Sequence, residues 1–76
     1  MDLDNLIVMA NRIGAFFAAQ PDRDEALAGI AEHVKKFWEP RMRTEILASL
    51  DSDAGAQLSE IVRAALTAHR ATLQPG

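Results

Sequence analysis

The side chains best suited to acid–base or metal chemistry are the two histidines, His33 and His69, which lie far apart in the chain. The chain has no cysteine, which excludes thiolate catalysis and thiolate-bound zinc or iron–sulfur clusters on its own residues. No serine–histidine–aspartate spacing, glycine-rich phosphate loop or facing pair of glutamates accompanies the histidines. We therefore expect both histidines to be structural, with His69 near a helix C-terminus. We expect the chain alone to have no catalytic residues, metal or cofactor.

The most unusual stretch runs from Lys35 to Arg43 and places four cationic side chains around the only tryptophan, Trp38. Tryptophan and arginine are the residues that most often anchor protein interfaces. The stretch therefore predicts either a helix corner with ordinary surface cations or a protein-binding hot spot. Nucleic-acid binding is the least favoured alternative, because the patch is short and the chain carries a formal net charge of -3.

The predicted protein-binding surface combines this corner with two positions on the preceding predicted helix. Its residues are Phe37, Trp38, Pro40, Arg41, Met42 and Arg43, together with His33 and Gly29. Arg41 is expected to point away from the apolar side of its helix, whereas Arg43 falls within that side. Arg43 must then either extend its charged end to water or meet a carboxylate.

Four helices are predicted to position these residues, because alanine, leucine and glutamate dominate and no alternating β-branched run predicts a strand. Asp4 is expected to cap the first helix, and Pro21 and Pro40 are expected to separate the next two. The predicted helices span about residues 4–19, 21–38, 41–50 and 57–73. Because the loops between them are short, the expected fold is an all-α, antiparallel four-helix bundle.

The first predicted helix is apolar on nearly every side. Its expected core stripe consists of Leu6, Met9, Ala10, Ile13, Phe16 and Phe17, and that of the second helix of Leu27, Ile30, Ala31, Val34, Phe37 and Trp38. A helix with apolar residues all round is either surrounded by the other helices or docks part of its surface on another protein.

Gly14 and Gly29 lie inside predicted helices, where each costs about 1 kcal/mol relative to alanine. Close approach of another backbone would explain this cost. The approaching backbone belongs either to a helix of the same domain or, an explanation more attractive for Gly29, to a partner protein.

Length and composition predict one small helical domain over residues 1–76, with 49% hydrophobic and 25% charged residues. A domain of this size without disulfides usually needs a further source of stability, and burial against another chain remains as that source. The N-terminal residues predict neither a signal peptide nor a membrane span, so a cytoplasmic protein is expected, without nucleic-acid or membrane partners.

Three segments carry a resemblance to a known family: Met9–Gly14 followed by two phenylalanines, Gly29–His33, and above all Phe37–Arg43. Over about residues 4–50 the chain resembles the delta subunit family of NAD-dependent, molybdenum-containing formate dehydrogenases. The resemblance implies a small non-catalytic subunit that binds the molybdopterin-containing catalytic subunit and is needed for activity of the complex. It also implies that the metal ligands lie on other subunits.

Other classes of function remain open at this point. A maturation chaperone would visit the molybdenum subunit and leave, and the sequence does not separate it from a permanent subunit. An acyl-carrier-like domain would be acidic, helical and of similar length, but Ser52 is not followed by the apolar helix start that seats a phosphopantetheine arm. In isolation, we expect the chain either to self-associate as a homodimer or to be only marginally stable.

Overall fold

The structure of the protein is a computed structural model that describes residues 2–76, and every regular element in this range is helical. The helices are α1 (Leu3–Phe17), α2 (Arg23–Phe37), α3 (Pro40–Ser49), α4 (Glu60–Ala68) and α5 (Arg70–Leu73), with a 3-10 helix (Asp53–Gln57) between α3 and α4. The predicted all-α class is confirmed for these residues.

Aspartate and proline define the starts of the first three helices. The Asp22 side chain accepts a hydrogen bond from the backbone N–H of Glu25, and Pro40 is the first residue of α3, where its missing N–H costs nothing. At α1 the capping residue is Asp2, whose carboxylate accepts from the N–H of Asp4. The prediction that Asp4 caps this helix was wrong, because Asp4 lies in the first turn, where its charge favours the helix dipole.

The predicted fourth helix is divided into three segments. Gln57, which was expected to begin it, is the last residue of the 3-10 helix, and α4 starts at Glu60. Its far end is interrupted at His69, whose backbone (φ −112°, ψ 21°) leaves the α-helical region before α5 begins. Leu73, which follows this break, is fully buried, so the chain end packs against the core after the helix is interrupted.

One cluster of buried side chains joins the helices. Its members are Leu6, Ile7, Ala10, Ala31, Val34, Trp38, Ile46, Leu47, Leu58, Val62, Leu66 and Leu73. The expected stripe of α1 was partly wrong, since Met9 and Phe16 are exposed and Ile7 is buried. On α2 the expected stripe member Phe37 is likewise exposed.

Gly14 explains which side of α1 is buried. A Cβ atom added at Gly14 would lie 2.5 Å from Cγ2 of Val62, a contact that real Cβ atoms do not make. Helix α4 therefore crosses α1 at this glycine, and the buried side of α1 is rotated towards Ile7 and Gly14 and away from Phe16. The close approach at Gly14 is thus made by side chains of α4 in the same domain, and not by another backbone as predicted.

Asn11 ties α1 to the segment that leads into α4. Its Nδ2 donates to the carbonyl of Gln57 at 3.0 Å, and its Oδ1 accepts from the N–H of Ser59 at 2.8 Å. Both bonds go to backbone groups that have no hydrogen-bond partner within a helix, and they fix the start of α4 beside α1.

Candidate protein-binding surface

Trp38 forms the inside of the helix corner between α2 and α3. It is the C-terminal capping residue of α2, its N–H donates to the carbonyl of Val34 at 2.9 Å, and the residue is only 4% exposed. The next residue, Glu39, has the extended backbone that a residue before proline prefers. Trp38 consequently contributes to the core of the isolated chain, and the surface of the corner is formed by its neighbours.

Arg43 binds the carbonyl ends of two helices. Its Nε donates to the carbonyl of Leu73 at 3.0 Å, and its Nη1 donates to the carbonyls of Trp38 at 2.9 Å and Lys35 at 3.3 Å. The last carbonyls of a helix have no partner within the helix and carry the negative end of its dipole, so a planar, permanently charged donor suits them. The expectation that Arg43 reaches water or a carboxylate was wrong, because its partners are backbone oxygens of α2 and α5.

The other cations of the corner have different surroundings. Lys35 donates to the carbonyl of Thr72 at 2.9 Å and so adds a second contact to α5. Lys36 lies 3.9 Å from Glu32 on the same helix, with both side chains largely exposed. Arg41 is exposed and makes no hydrogen bond or ion pair within residues 2–76. Of the four cations, Arg41 is therefore the one whose head group has no hydrogen-bond or ion-pair partner in the described chain.

An aromatic strip of four rings, Phe16, Phe17, His33 and Phe37, crosses from the end of α1 to the end of α2. The centroids of Phe16 and Phe17 are 5.1 Å apart in an edge-on arrangement, and those of Phe17 and His33 are 6.5 Å apart. His33 and Phe37 follow at 4.8 Å. The two terminal rings are mostly in solvent, since Phe16 is 74% and Phe37 is 70% exposed. The strip is therefore a continuous aromatic surface held by edge-on and tilted ring contacts.

Gly29 lies underneath this aromatic strip. A Cβ atom at Gly29 would lie 2.5 Å from Cε1 and 2.7 Å from Cδ1 of Phe17. The close approach at this glycine is thus made by an aromatic side chain of the same protein. The absence of a side chain at Gly29 leaves room for the Phe17 ring against α2, where it also contacts His33.

The remaining residues of the predicted surface are divided between solvent and core. Pro40 is exposed at the start of α3, and Met42 is half-buried against the hydrophobic core. His33 is half-buried between two aromatic rings, and His69 is half-buried at the break after α4. His69 is the C-terminal capping residue of α4, so it lies at a helix C-terminus, as expected.

Two exposed ion pairs join helices at other places in the fold. Arg23 Nη2 lies 2.6 Å from Oε2 of Glu60, and Arg70 Nη2 lies 2.7 Å from Oδ2 of Asp51. The hydrogen bond from Arg70 lowers the pKa of the Asp51 carboxyl below its usual value, and the bond from Arg23 does the same to the pKa of Glu60. These pairs connect α2 to α4 and the end of α3 to α5.

Two kinds of feature would bear on metal binding and membrane insertion: clusters of metal-ligating side chains and helices able to span a membrane. Within residues 2–76 no group of three or more histidine, aspartate or glutamate side chains is placed to hold a metal ion. None of the helices in this range combines the length and the apolar character that crossing a bilayer requires. The features that stand out are the aromatic strip and the corner beside it.

Fold and surface define a small all-α domain whose prominent feature is an exposed aromatic strip. The model of the family described as NADH-dependent formate dehydrogenase delta subunit FdsD matches residues 5–66, and the chain belongs to this family. The resemblance inferred from the sequence is confirmed, and the matched region extends past Leu50 into α4. No curated protein and no solved structure matches the chain.

Sequence reasoning did not include Phe16 and Phe17 in the predicted surface, because both were assigned to the core stripe of α1. A signal was available in the helical spacing: Phe16 lies on the side of α1 opposite Gly14, together with Arg12. Since an interior glycine indicates the side on which another helix approaches, residues opposite Gly14 had reason to be exposed.

Proposed function

We propose that the protein is a non-catalytic accessory subunit of a cytoplasmic, NAD-dependent molybdenum formate dehydrogenase and docks on the molybdopterin-containing catalytic subunit. In this role it supports assembly, cofactor retention or stability of the catalytic subunit. Membership of the delta subunit family carries the proposal, since that family is described by its place in a formate dehydrogenase. The proposal treats residues 1–76 as one domain, a small antiparallel four-helix bundle in which α5 continues α4.

The exposed parts of the helix corner support a docking role. Phe37 is mostly exposed, Pro40 is exposed three residues later at the start of α3, and the Arg41 head group has no hydrogen-bond or ion-pair partner within residues 2–76. Phenylalanine and arginine are both enriched at protein interfaces relative to the rest of the surface. Trp38, Met42 and Arg43 contribute to the same surface by holding the corner in place.

A transient maturation chaperone is the alternative within the same family assignment. Both roles require contact with the molybdenum subunit, and they differ in how long the contact lasts and in which form of the subunit is bound. A permanent subunit stays in the active complex in a fixed ratio, whereas a chaperone binds the subunit before its cofactor is inserted and then leaves.

An acyl-carrier-like domain has less support. The Ser52 hydroxyl donates to the carbonyl of Ser49 at 3.2 Å and precedes a 3-10 helix, so it does not lie at the start of a full α-helix. A mass increase of one phosphopantetheine group on Ser52 would favour this function over the proposed one.

Native purification of the complex tests the proposed function. An affinity tag on this chain is used to isolate its partners from cells, and native mass spectrometry measures their ratio. We expect one molybdopterin-containing subunit for each copy of this chain in preparations that oxidise formate. Recovery with only the cofactor-free subunit would indicate the chaperone role, and recovery without any formate dehydrogenase subunit would contradict both.

A further inference from the structure

The outer side of α1 carries large apolar side chains that are exposed to solvent. Val8, Met9 and Phe16 are 47%, 39% and 74% exposed, and they are three of the four large apolar side chains exposed within residues 2–76. Together they expose on the order of 300 Å² of apolar surface, which lies in the range that marks interaction sites on small proteins. This side of α1 is therefore a candidate contact with another protein chain.

The charged residues of α1 lie on the same side of the helix. Asp4 and Arg12 are the only charged residues of α1, and both are exposed. Neither side chain makes a hydrogen bond or an ion pair within residues 2–76. Because each is four residues from Val8, the three side chains form one row along α1, with the two charges about 12 Å apart along the helix. At that separation the two charges of one copy do not pair with each other.

This row complements itself when two copies of α1 meet in an antiparallel two-fold contact. A two-fold axis at Val8 places Val8 against Val8 of the second copy and Asp4 against Arg12 of the second copy, and symmetry repeats the charge pair on the other side of the axis. The two Arg12 side chains then remain about 12 Å apart along the helices. A parallel arrangement would instead place like charges against each other. The charge pattern therefore favours a second copy of the chain in the antiparallel orientation.

The size of this surface indicates how strong the contact should be. A standard interface buries about 800 Å² on each partner, and smaller interfaces belong to weak, transient complexes. One helix face is smaller than the standard size, so we expect a reversible dimer. Phe16 lies about 12 Å from the axis along α1, beyond Asp4 of the second copy, and so stands at the edge of the contact.

We propose that the outer side of α1 is a homodimer interface of this chain, antiparallel, with its two-fold axis at Val8 and two Asp4–Arg12 pairs between the copies. Burial of Val8 and Met9 provides affinity, and the charge pairs fix the orientation and the register. Burial against a second copy would also provide the further stability that a small domain without disulfides needs. This interface does not depend on the proposed function, because it involves only groups of this chain.

Charge reversal on the full-length chain tests the paired residues, with sedimentation equilibrium from low micromolar to near millimolar concentration as the measurement. Asp4→Lys and Arg12→Glu each make both pairs repulsive, so each should weaken dimerisation about tenfold or more. The double variant Asp4→Lys/Arg12→Glu restores opposite charges in reversed order and should dimerise within about threefold of the parent. Because the two single variants change the net charge in opposite directions, overall charge cannot explain a loss in both.

A matched control and a folding check accompany these variants. Thr67→Glu places a negative charge on an exposed position of α4 and should change dimerisation by less than about threefold. Circular dichroism should show parent-like helicity for Arg12→Glu, because Arg12 is exposed. If Asp4→Lys loses helix, since a lysine opposes the dipole at the start of α1, Arg12→Glu and cysteine pairing decide the question.

Cysteine pairing tests the position of the axis, and the chain has no cysteine of its own. A disulfide requires two Cα atoms within about 7 Å of each other. Val8→Cys should therefore form a covalent dimer under mild oxidation at least about tenfold faster than Thr67→Cys. The two copies of Phe16→Cys lie about 24 Å apart along the helices, so this variant should be as slow as Thr67→Cys.

Several results would overturn the proposed interface. A parent chain that sediments as a monomer at every concentration would leave this side of α1 to a different protein. A dimer that Arg12→Glu leaves intact, or a double variant as weak as the single variants, would exclude the Asp4–Arg12 pairs. Faster pairing of Phe16→Cys than of Val8→Cys would place the axis elsewhere. All of these measurements use the chain alone, so their failure leaves the proposed function standing.

Discussion

Replacing Arg43 with methionine should lower the free energy of unfolding of the isolated chain by about 3 kcal/mol. Methionine keeps much of the aliphatic length of arginine and removes its five donors. The variant loses the bonds to the carbonyls of Leu73 and Trp38, at 3.0 and 2.9 Å, both in partly buried surroundings. A hydrogen bond that involves a charged group contributes about 1.5 kcal/mol or more, so two such bonds account for the expected value. The longer, exposed bond to Lys35 adds little.

The loss of the Arg43 hydrogen bonds should destabilise the C-terminal end of the chain first. Helix α5 has four residues and cannot be stable alone, so it depends on Arg43, on Lys35 and on burial of Leu73. Trp38 is the only tryptophan and lies at the same corner, which makes its fluorescence a local reporter. Far-UV circular dichroism reports on all helices, so the two signals together show whether the corner opens before the rest unfolds.

Urea unfolding of three proteins measures the effect: the parent, Arg43→Met and Arg41→Met. Arg41→Met is the matched control, because Arg41 is exposed two positions away and makes no hydrogen bond or ion pair within residues 2–76. The stability of this variant should differ from that of the parent by less than about 0.5 kcal/mol. In thermal unfolding the difference for Arg43→Met corresponds to a lowering of Tm on the order of 15 °C. Equal urea midpoints for the two variants would refute the assignment of Arg43 as the residue that joins α2 to α5.

Three further outcomes are expected. Gly14→Ala should destabilise the fold by about 2 kcal/mol in urea unfolding, because the new Cβ overlaps Val62 and this overpacking exceeds the gain of about 1 kcal/mol in helix propensity; an unchanged or higher midpoint would contradict the close helix crossing. The pKa of Asp51 is lowered from its usual 3.8 by Arg70, so its stabilising contribution is present above that value and is lost as pH falls through the lower folded-state pKa. Arg70→Gln should therefore show a weaker loss of urea midpoint on acidification below about pH 4 than the parent, and identical pH profiles would exclude the pair as a contributor. The purified chain alone should not oxidise formate, and turnover that scales with its concentration after metal removal would show that it is catalytic.

The all-α class, the start of α2 and the boundary between α2 and α3 were predictable because they depend on residues near each other in the chain. Asp22 caps α2 by accepting a hydrogen bond from the backbone N–H of Glu25, three residues further along the chain. Pro40 ends one helix and begins the next because of its own ring geometry. The family resemblance was available for the same reason, since it rests on short ordered segments such as Phe37–Arg43.

The candidate surface was predictable only in part. Phe37, His33 and Gly29 were singled out from the sequence and lie in or under the aromatic strip, whereas Phe16 was assigned to the core. An apolar residue on an amphipathic helix has two interpretations, burial or binding, and local spacing does not choose between them when the helix is apolar all round.

The tertiary structure decided which side of α1 is buried and what the charged corner does. Helix α4 crosses α1 at Gly14 and covers that side, which leaves Phe16 in solvent. Arg43 finds an acceptor thirty residues further along the chain, at Leu73. By itself the sequence determined the all-α class, the boundary between α2 and α3, and the family. The choice of buried face and of long-range partners needed the whole fold, because it depends on groups that are distant in the chain and adjacent only after the helices pack.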